Sequence, residues 1–149
     1  MSAAASMLLP GKAAVAEALV LTAPISFWGG VNPKTGTIAD VRHPQHGLSV
    51  AGRMLFLPGT IGSSSAAAVL LELVHAGLAP AGLILHEPDA ILLLGLIVAR
   101  EMGLETPAAV QLDRDEQASW AGRRVSLDED GVLSDILGAH SPGCPPLLE

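Results

Sequence analysis

Between Pro58 and Ser65 the chain reads Pro58-Gly59-Thr60-Ile61-Gly62-Ser63-Ser64-Ser65, and Ala66-Ala67-Ala68-Val69-Leu70-Leu71 follows at once. Three hydroxyls therefore stand between a glycine-bearing turn and an apolar run that opens on residues no larger than alanine. If that run is a helix, its first turn presents N–H groups without intrahelical partners and carries the positive end of the helix dipole. No bulky side chain would shield those groups, so the turn is a candidate anion site, for a carboxylate or a phosphate, with serines inside it. Serine is also a favoured helix-starting residue, and that structural role stands beside the functional one.

The commonest functions of such a turn are absent. A nucleotide-binding loop needs a lysine after its last glycine, and Gly62 is followed by Ser63. The dinucleotide fingerprint does not occur, and no glycine follows the serines as a hydrolase nucleophile elbow requires. Elsewhere, His43 and His46 flank Pro44-Gln45. Pro44 argues against a helical pair of imidazoles, and a third metal ligand is missing, so a hydrogen bond to a ligand or to a loop is the better role for His43. His86-Glu87 lacks the second histidine of a zinc protease, and Cys144 sits in a Pro/Gly tail.

The elements that would position the serine turn follow from patterning. Residues 53–57 are a strand candidate that feeds the turn, within a loosely alternating stretch 48–57 that contains Gly52, as a strand with a bulge or a close backbone neighbour would. The helix after the serines runs to His75-Ala76 and stops at Gly77. Residues 81–85 form a buried-strand run, residues 90–102 a second helix that is apolar on nearly every side and so is expected to be largely buried, and residues 107–112 a further strand. Strand, helix, strand, helix, strand is an α/β unit with parallel pairing. Before it, a strand is expected over 17–21, tight turns around Asn32-Pro33 and Thr35-Gly36, and a short strand over 37–41. After it come a solvated charged stretch at 113–117 and a hairpin, 123–127 with 132–133, around an acidic turn. Residues 1–11 read as a loose arm and 141–149 as a flexible tail. With no repeat and no linker, residues 1–149 read as one compact β/β/α domain.

Composition sets limits on partners. A chain of 149 residues can bury about 68–70% of its unfolded surface in one core. Aromatic residues make up only 3% against 50% hydrophobic, so that core must be aliphatic. A net charge of −7 without a Lys/Arg cluster argues against a nucleic-acid partner and against an anionic membrane surface. The longest apolar runs fall well short of the roughly 20 residues that span a bilayer. The first ten residues lack the cationic start of a secretion signal, and the single cysteine precludes an internal disulfide, so a cytoplasmic location is expected. A metal or iron–sulfur cluster cannot be built from this chain's own thiols.

Taken in order, Pro24-Ile25-Ser26-Phe27-Trp28-Gly29-Gly30-Val31-Asn32-Pro33-Lys34-Thr35-Gly36, then Asp40, His43-Pro44 and Gly47, the glycine–serine turn 58–65, Leu71-Glu72-Leu73, Gly77-Leu78-Ala79-Pro80 and Pro88-Asp89 resemble the small subunit, or swivel domain, of aconitase X. The resemblance covers residues 12–112. It implies an α/β fold: a swivelling β/β/α domain of aconitase type, with short strands around two buried helices. It also implies a large catalytic partner subunit, which holds an iron–sulfur cluster through its own cysteines and over which this domain closes. Members similar to this chain are hydro-lyases that dehydrate cis-3-hydroxy-L-proline or mevalonate 5-phosphate.

The family's proton acceptor is a serine that maps onto Ser63; beside it, Ser64, Ser65, Gly62 and His43 are the expected substrate contacts, read from the amide-bearing turn and the polar loop. Removing a proton alpha to a carboxylate requires a strong base, and a serine alkoxide is one if N–H donors or cations hold it. The chain departs from the family pattern at Ile61, where a basic residue is expected, at Ala67, where another serine is common, and at Asn32, where aspartate is common. A cation lost at Ile61 would have to come from the partner subunit, Arg53 or Arg42. Lys34 and Arg42 either contact substrate or hold loops. The contrasting function is a non-catalytic binding module or a phosphocarrier-like domain, which would need a reactive histidine such as His43.

Overall fold

Residue 5 is the point at which the sheet of this protein closes. The computed structural model describes residues 1–136, and its strands form one eight-stranded sheet in the order β1-β8-β7-β3-β4-β5-β6-β2. The two end strands, β1 (Ser2–Ala4) and β2 (Ser6–Leu9), are separated by Ala5 alone. β1 pairs with β8 (Val132–Asp135) and β2 pairs with β6 (Ala108–Gln111), both antiparallel, so one segment seals both edges and leaves no open edge there. The loose arm expected over residues 1–11 is thus corrected: its Ala/Leu-rich residues pair on both sides because two strand edges need covering.

The middle of the sheet is parallel. β3 (Ala14–Val20), β4 (Met54–Leu57), β5 (Gly82–Leu85) and β6 run side by side in that sense. β4 and β5 are buried at every position, as strands covered on both faces must be. Helix α2 (Ala66–Ala76) follows β4 and ends at Gly77, and α3 (Ala90–Glu101) follows β5. β7 (Arg124–Leu127) and β8 make the expected hairpin, in whose turn Asp128 Oδ1 accepts the amides of Asp130 and Val132, each at 2.9 Å. Tight turns replace two strand expectations. Gly52 lies in a turn before β4 rather than in a bulge, and residues 37–41 make only single bridges, Thr37 to Ser49 and Ile38 to Val31. Helix α1 (Phe27–Gly30) is one irregular turn, and the charged stretch 113–117 contains the single turn α4 (Arg114–Gln117).

Two cores result, one on each face of the sheet. Met54, Phe56, Ile84, Val110, Val125, Leu127 and Trp120 fill the interior of the closed sheet, with Phe56 and Trp120 stacked at 6.2 Å. Leu55, Leu57, Leu83 and Leu85 point to the other face, where Leu70, Leu73, Leu92 and Leu96 of α2 and α3 cover them. This is the β/β/α layering of the expected fold. The second helix differs from expectation. Leu92, Leu93, Leu96 and Ala99 are buried, whereas Ile91, Leu94, Ile97 and Val98 are all more than 40% exposed. A helix against one sheet face buries one stripe only, and the solvent side of α3 is apolar as well. The tail over residues 141–149, with Cys144, lies outside the described residues.

Candidate active site

The loops that leave the carboxyl ends of the parallel strands meet over one end of the sheet. Pro24 follows β3, residues 58–62 follow β4, residues 86–91 follow β5 and Arg114 follows β6, and together they line a cleft of about 700 Å³. In sheets of this kind ligands bind at that end, because successive loops diverge there and helix N-termini point towards it.

Backbone pairing and one side-chain bond fix the glycine turn. Ile25 N donates to Gly59 O at 3.3 Å and Ile61 N donates to Ile25 O at 3.0 Å. Thr60 Oγ1 donates to Asp89 Oδ2 at 2.7 Å, while Asp89 Oδ1 caps α3 by accepting the Leu92 amide at 3.0 Å. One carboxylate therefore ties the start of α3 to the turn that precedes α2. Nothing in the sequence signalled this pairing, since Thr60 and Asp89 are 29 residues apart.

Ser63 is half-buried, and Ser64 and Ser65 are exposed. Ser63 Oγ accepts the Ser65 amide at 3.2 Å, and Ser63 O accepts the Ala66 amide at 3.1 Å. Ser65 occupies the N-cap position of α2 without a side-chain cap bond, and the Ser63 hydroxyl serves the turn that leads into the helix. Ile61 and Gly62 line the main cleft, and Ser65 lines a neighbouring groove with Trp28, Asn32 and Glu72. Ser63 and Ser64 lie along the chain between Gly62 of the first depression and Ser65 of the second.

His43 sits apart from this arrangement and is 6% exposed. Its Nδ1 accepts the Gln45 amide at 3.0 Å, which leaves Nε2 as the N–H that donates to Ala23 O at 3.0 Å. Gln45 in turn donates to Val20 O at 2.8 Å and accepts the Thr22 amide at 3.0 Å. The loop 43–45 clamps the chain where it leaves β3. Both ring nitrogens of His43 are thus bonded within this loop region.

Of the cations considered for the glycine turn, one is committed elsewhere. Arg53 donates to Glu17 O at 3.3 Å and Ala18 O at 3.0 Å, so it braces β3. Arg42 has a side chain 92% exposed and lies 3.9 Å from Asp40, on the loop that carries His43. Lys34 is exposed, in a turn shaped by its own amide donating to Asn32 Oδ1 at 2.9 Å. Sequence reasoning missed His86, Asp89 and Arg114 as neighbours of the serine turn. His86 Nδ1 accepts the Arg114 amide at 3.0 Å, so the β5 and β6 loops are joined beside the cleft. Among the described residues no group of three or more His, Cys, Asp or Glu could hold a metal ion, and no helix is long and apolar enough to cross a membrane.

A family model described as the aconitase X swivel domain matches residues 2–134. The chain belongs to the aconitase X swivel-domain family. Among swivel-domain relatives, the cis-3-hydroxy-L-proline dehydratase of Pseudomonas aeruginosa is 42% identical over 141 residues, 93% of this chain and 23% of that protein. The phosphomevalonate dehydratase small subunit of Methanopyrus kandleri is 43% identical over 83 residues, 56% of this chain and 62% of that protein. The chain therefore spans about a quarter of the first relative and under two thirds of the second. The crystal structure of Thermococcus kodakaraensis aconitase X in its holo-form superposes with a TM-score of 0.79 at 28% identity, covering 91% of this chain and 98% of that one. The swivel-domain architecture is thus shared with an aconitase X of known structure.

Proposed function

We propose that this chain is the small subunit of an aconitase X hydro-lyase that dehydrates cis-3-hydroxy-L-proline to 1-pyrroline-2-carboxylate, with Ser63 as the proton acceptor. The observation that carries this reading is the 42% identity to the Pseudomonas dehydratase across 93% of the chain. The geometry of Ser63 supports it. Ser63 is half-buried and follows Gly62, which lines the cleft, and the Ser65 amide donates to its oxygen. An N–H aimed at that atom favours its anionic form, which is the form that can take a proton.

In the proposed reaction the proton on the carbon alpha to the carboxylate passes to Ser63 Oγ. The electron pair left behind forms the carbon–carbon double bond as hydroxide departs from the neighbouring carbon, and the enamine so formed tautomerises to the cyclic imine. Ser64, Ser65 and Gly62 present the backbone of the turn to the substrate. The described residues do not assemble ligands for an iron–sulfur cluster, so the reading assigns that group to a large partner subunit, where it would supply a Lewis acid for the departing oxygen. A cytoplasmic location is part of the same proposal and rests on the cysteine content.

The identity to the Methanopyrus small subunit supports mevalonate 5-phosphate as the second substrate reading. A phosphocarrier role is disfavoured, because His43 is buried with both nitrogens bonded. The test is reconstitution: this chain is co-expressed with a cysteine-bearing large aconitase X subunit, and water loss is followed for both hydroxy acids. Turnover of cis-3-hydroxy-L-proline is expected. A complex that acts on mevalonate 5-phosphate alone selects the second reading, and one that acts on neither overturns both.

A further inference from the structure

The site lacks a cation where one is expected, at Ile61, and the fold supplies another. Arg114 follows β6 and lines the same cleft as Ile61 and Gly62, although 50 residues separate it from the serine turn in sequence. Its backbone is fixed twice, by the amide bond to His86 Nδ1 at 3.0 Å and by its place as first residue of α4, where Asp113 caps the turn. Its guanidinium forms no hydrogen bond or ion pair with the described residues, in contrast to Arg53, Arg100 and Arg123, which all donate to protein oxygens.

None of Glu87, Asp89, Asp113, Asp115 and Glu116 forms an ion pair with Arg114 among the described residues. Asp89 divides its two oxygens between Thr60 and the Leu92 amide, and Asp113 Oδ1 accepts the Asp115 amide at 2.9 Å. Glu87 has a side chain 83% exposed and lies 3.9 Å from His86 Nε2. Arg114 is exposed, in a cleft also lined by His86, Glu87 and Asp89, and an arginine whose guanidinium meets no partner among the described residues is suited to a planar carboxylate, which it can engage through two parallel N–H bonds.

Resting on the dehydratase reading above, we propose that Arg114 binds the substrate carboxylate, as the cation that this chain brings to the cleft in which Ile61 stands. The test uses the complex with the large subunit and two readouts, steady-state turnover of cis-3-hydroxy-L-proline and calorimetric binding of L-proline, which keeps the carboxylate and lacks the leaving hydroxyl. Arg114→Ala should raise KM and the L-proline Kd by about 10- to 100-fold, the range of a hydrogen bond to a charged group, with a smaller change in kcat. Arg114→Lys should restore part of that loss, and added guanidinium ion should restore more. Lys12→Ala, as a control on an exposed cation paired with Glu105 away from the cleft, should change neither constant more than about twofold. Unchanged KM and Kd in Arg114→Ala overturn the inference even if the wild-type complex is fully active. If the wild-type complex turns over no hydroxy acid yet binds L-proline through Arg114, the reaction reading falls and the anion site stands.

Discussion

At the scale of single residues, the site depends on where two oxygens are held. Ser63 Oγ receives one backbone amide, and Asp89 holds both the turn, through Thr60, and the first turn of α3. Ser63→Ala should leave the fold intact, because the hydroxyl is half-exposed and its one bond is local. In the reconstituted complex, kcat should fall by about 10²- to 10⁴-fold, the usual contribution of a positioned base, and steady-state kinetics would read it. A fall below tenfold would remove Ser63 from the chemistry. Thr60→Val deletes a hydrogen bond to a partly buried carboxylate and should cost about 1–2 kcal/mol of stability, measurable as a shift in the urea midpoint. His43, offered by the sequence as a ligand or loop contact, has both ring nitrogens bonded to its neighbours at 23 and 45.

At the scale of elements, the contact between α2 and α3 sets how the two helix N-termini sit above the sheet. Gly95 of α3 lies against Ala67 of α2 so closely that a Cβ at residue 95 would stand 2.4 Å from Ala67 O. Alanine normally stabilises a helix interior by up to about 1 kcal/mol over glycine. Here the clash is with backbone, which cannot swing aside, and overpacking of this kind costs about 1–3 kcal/mol, so the clash wins. Gly95→Ala is therefore expected to lower stability by about 1–2 kcal/mol and to move the serine turn, with a loss of turnover in the complex. Chemical denaturation and kinetics on the same variant would check both effects, and a variant more stable than wild type would contradict this packing account. The position of this glycine was not legible as a contact in the sequence, where it reads as a weak spot in an apolar helix.

At the scale of the whole molecule, closure by residues 2–9 is the structural commitment with the largest consequence. Removing residues 1–9 would strip β1 from β8 and β2 from β6, and would open the interior packed around Phe56 and Trp120. Two unpaired strand edges and an uncovered core should make the truncated chain aggregate or melt well below the full chain. Circular dichroism melting with light scattering would show it. A truncated chain with unchanged melting would mean that the first residues are an arm after all.

The local sequence determined what is local in the fold. The strand–turn–helix around residues 53–77, the second helix, the strands at 81–85 and 107–112 and the late hairpin were all legible, because hydrophobic period, Gly and Asp-rich turns act over a few residues. The family was legible for the same reason, since its motifs are contiguous stretches at the turns. Only the tertiary structure decided what depends on distant pairing: that residues 2–9 close the sheet, that Asp89 reaches Thr60, that His43 is locked against Ala23, and that Arg114 arrives beside Ile61. Each of these joins residues whose separation along the chain carries no periodic signal, and a parallel sheet brings them together by aligning the carboxyl ends of strands that are far apart in sequence.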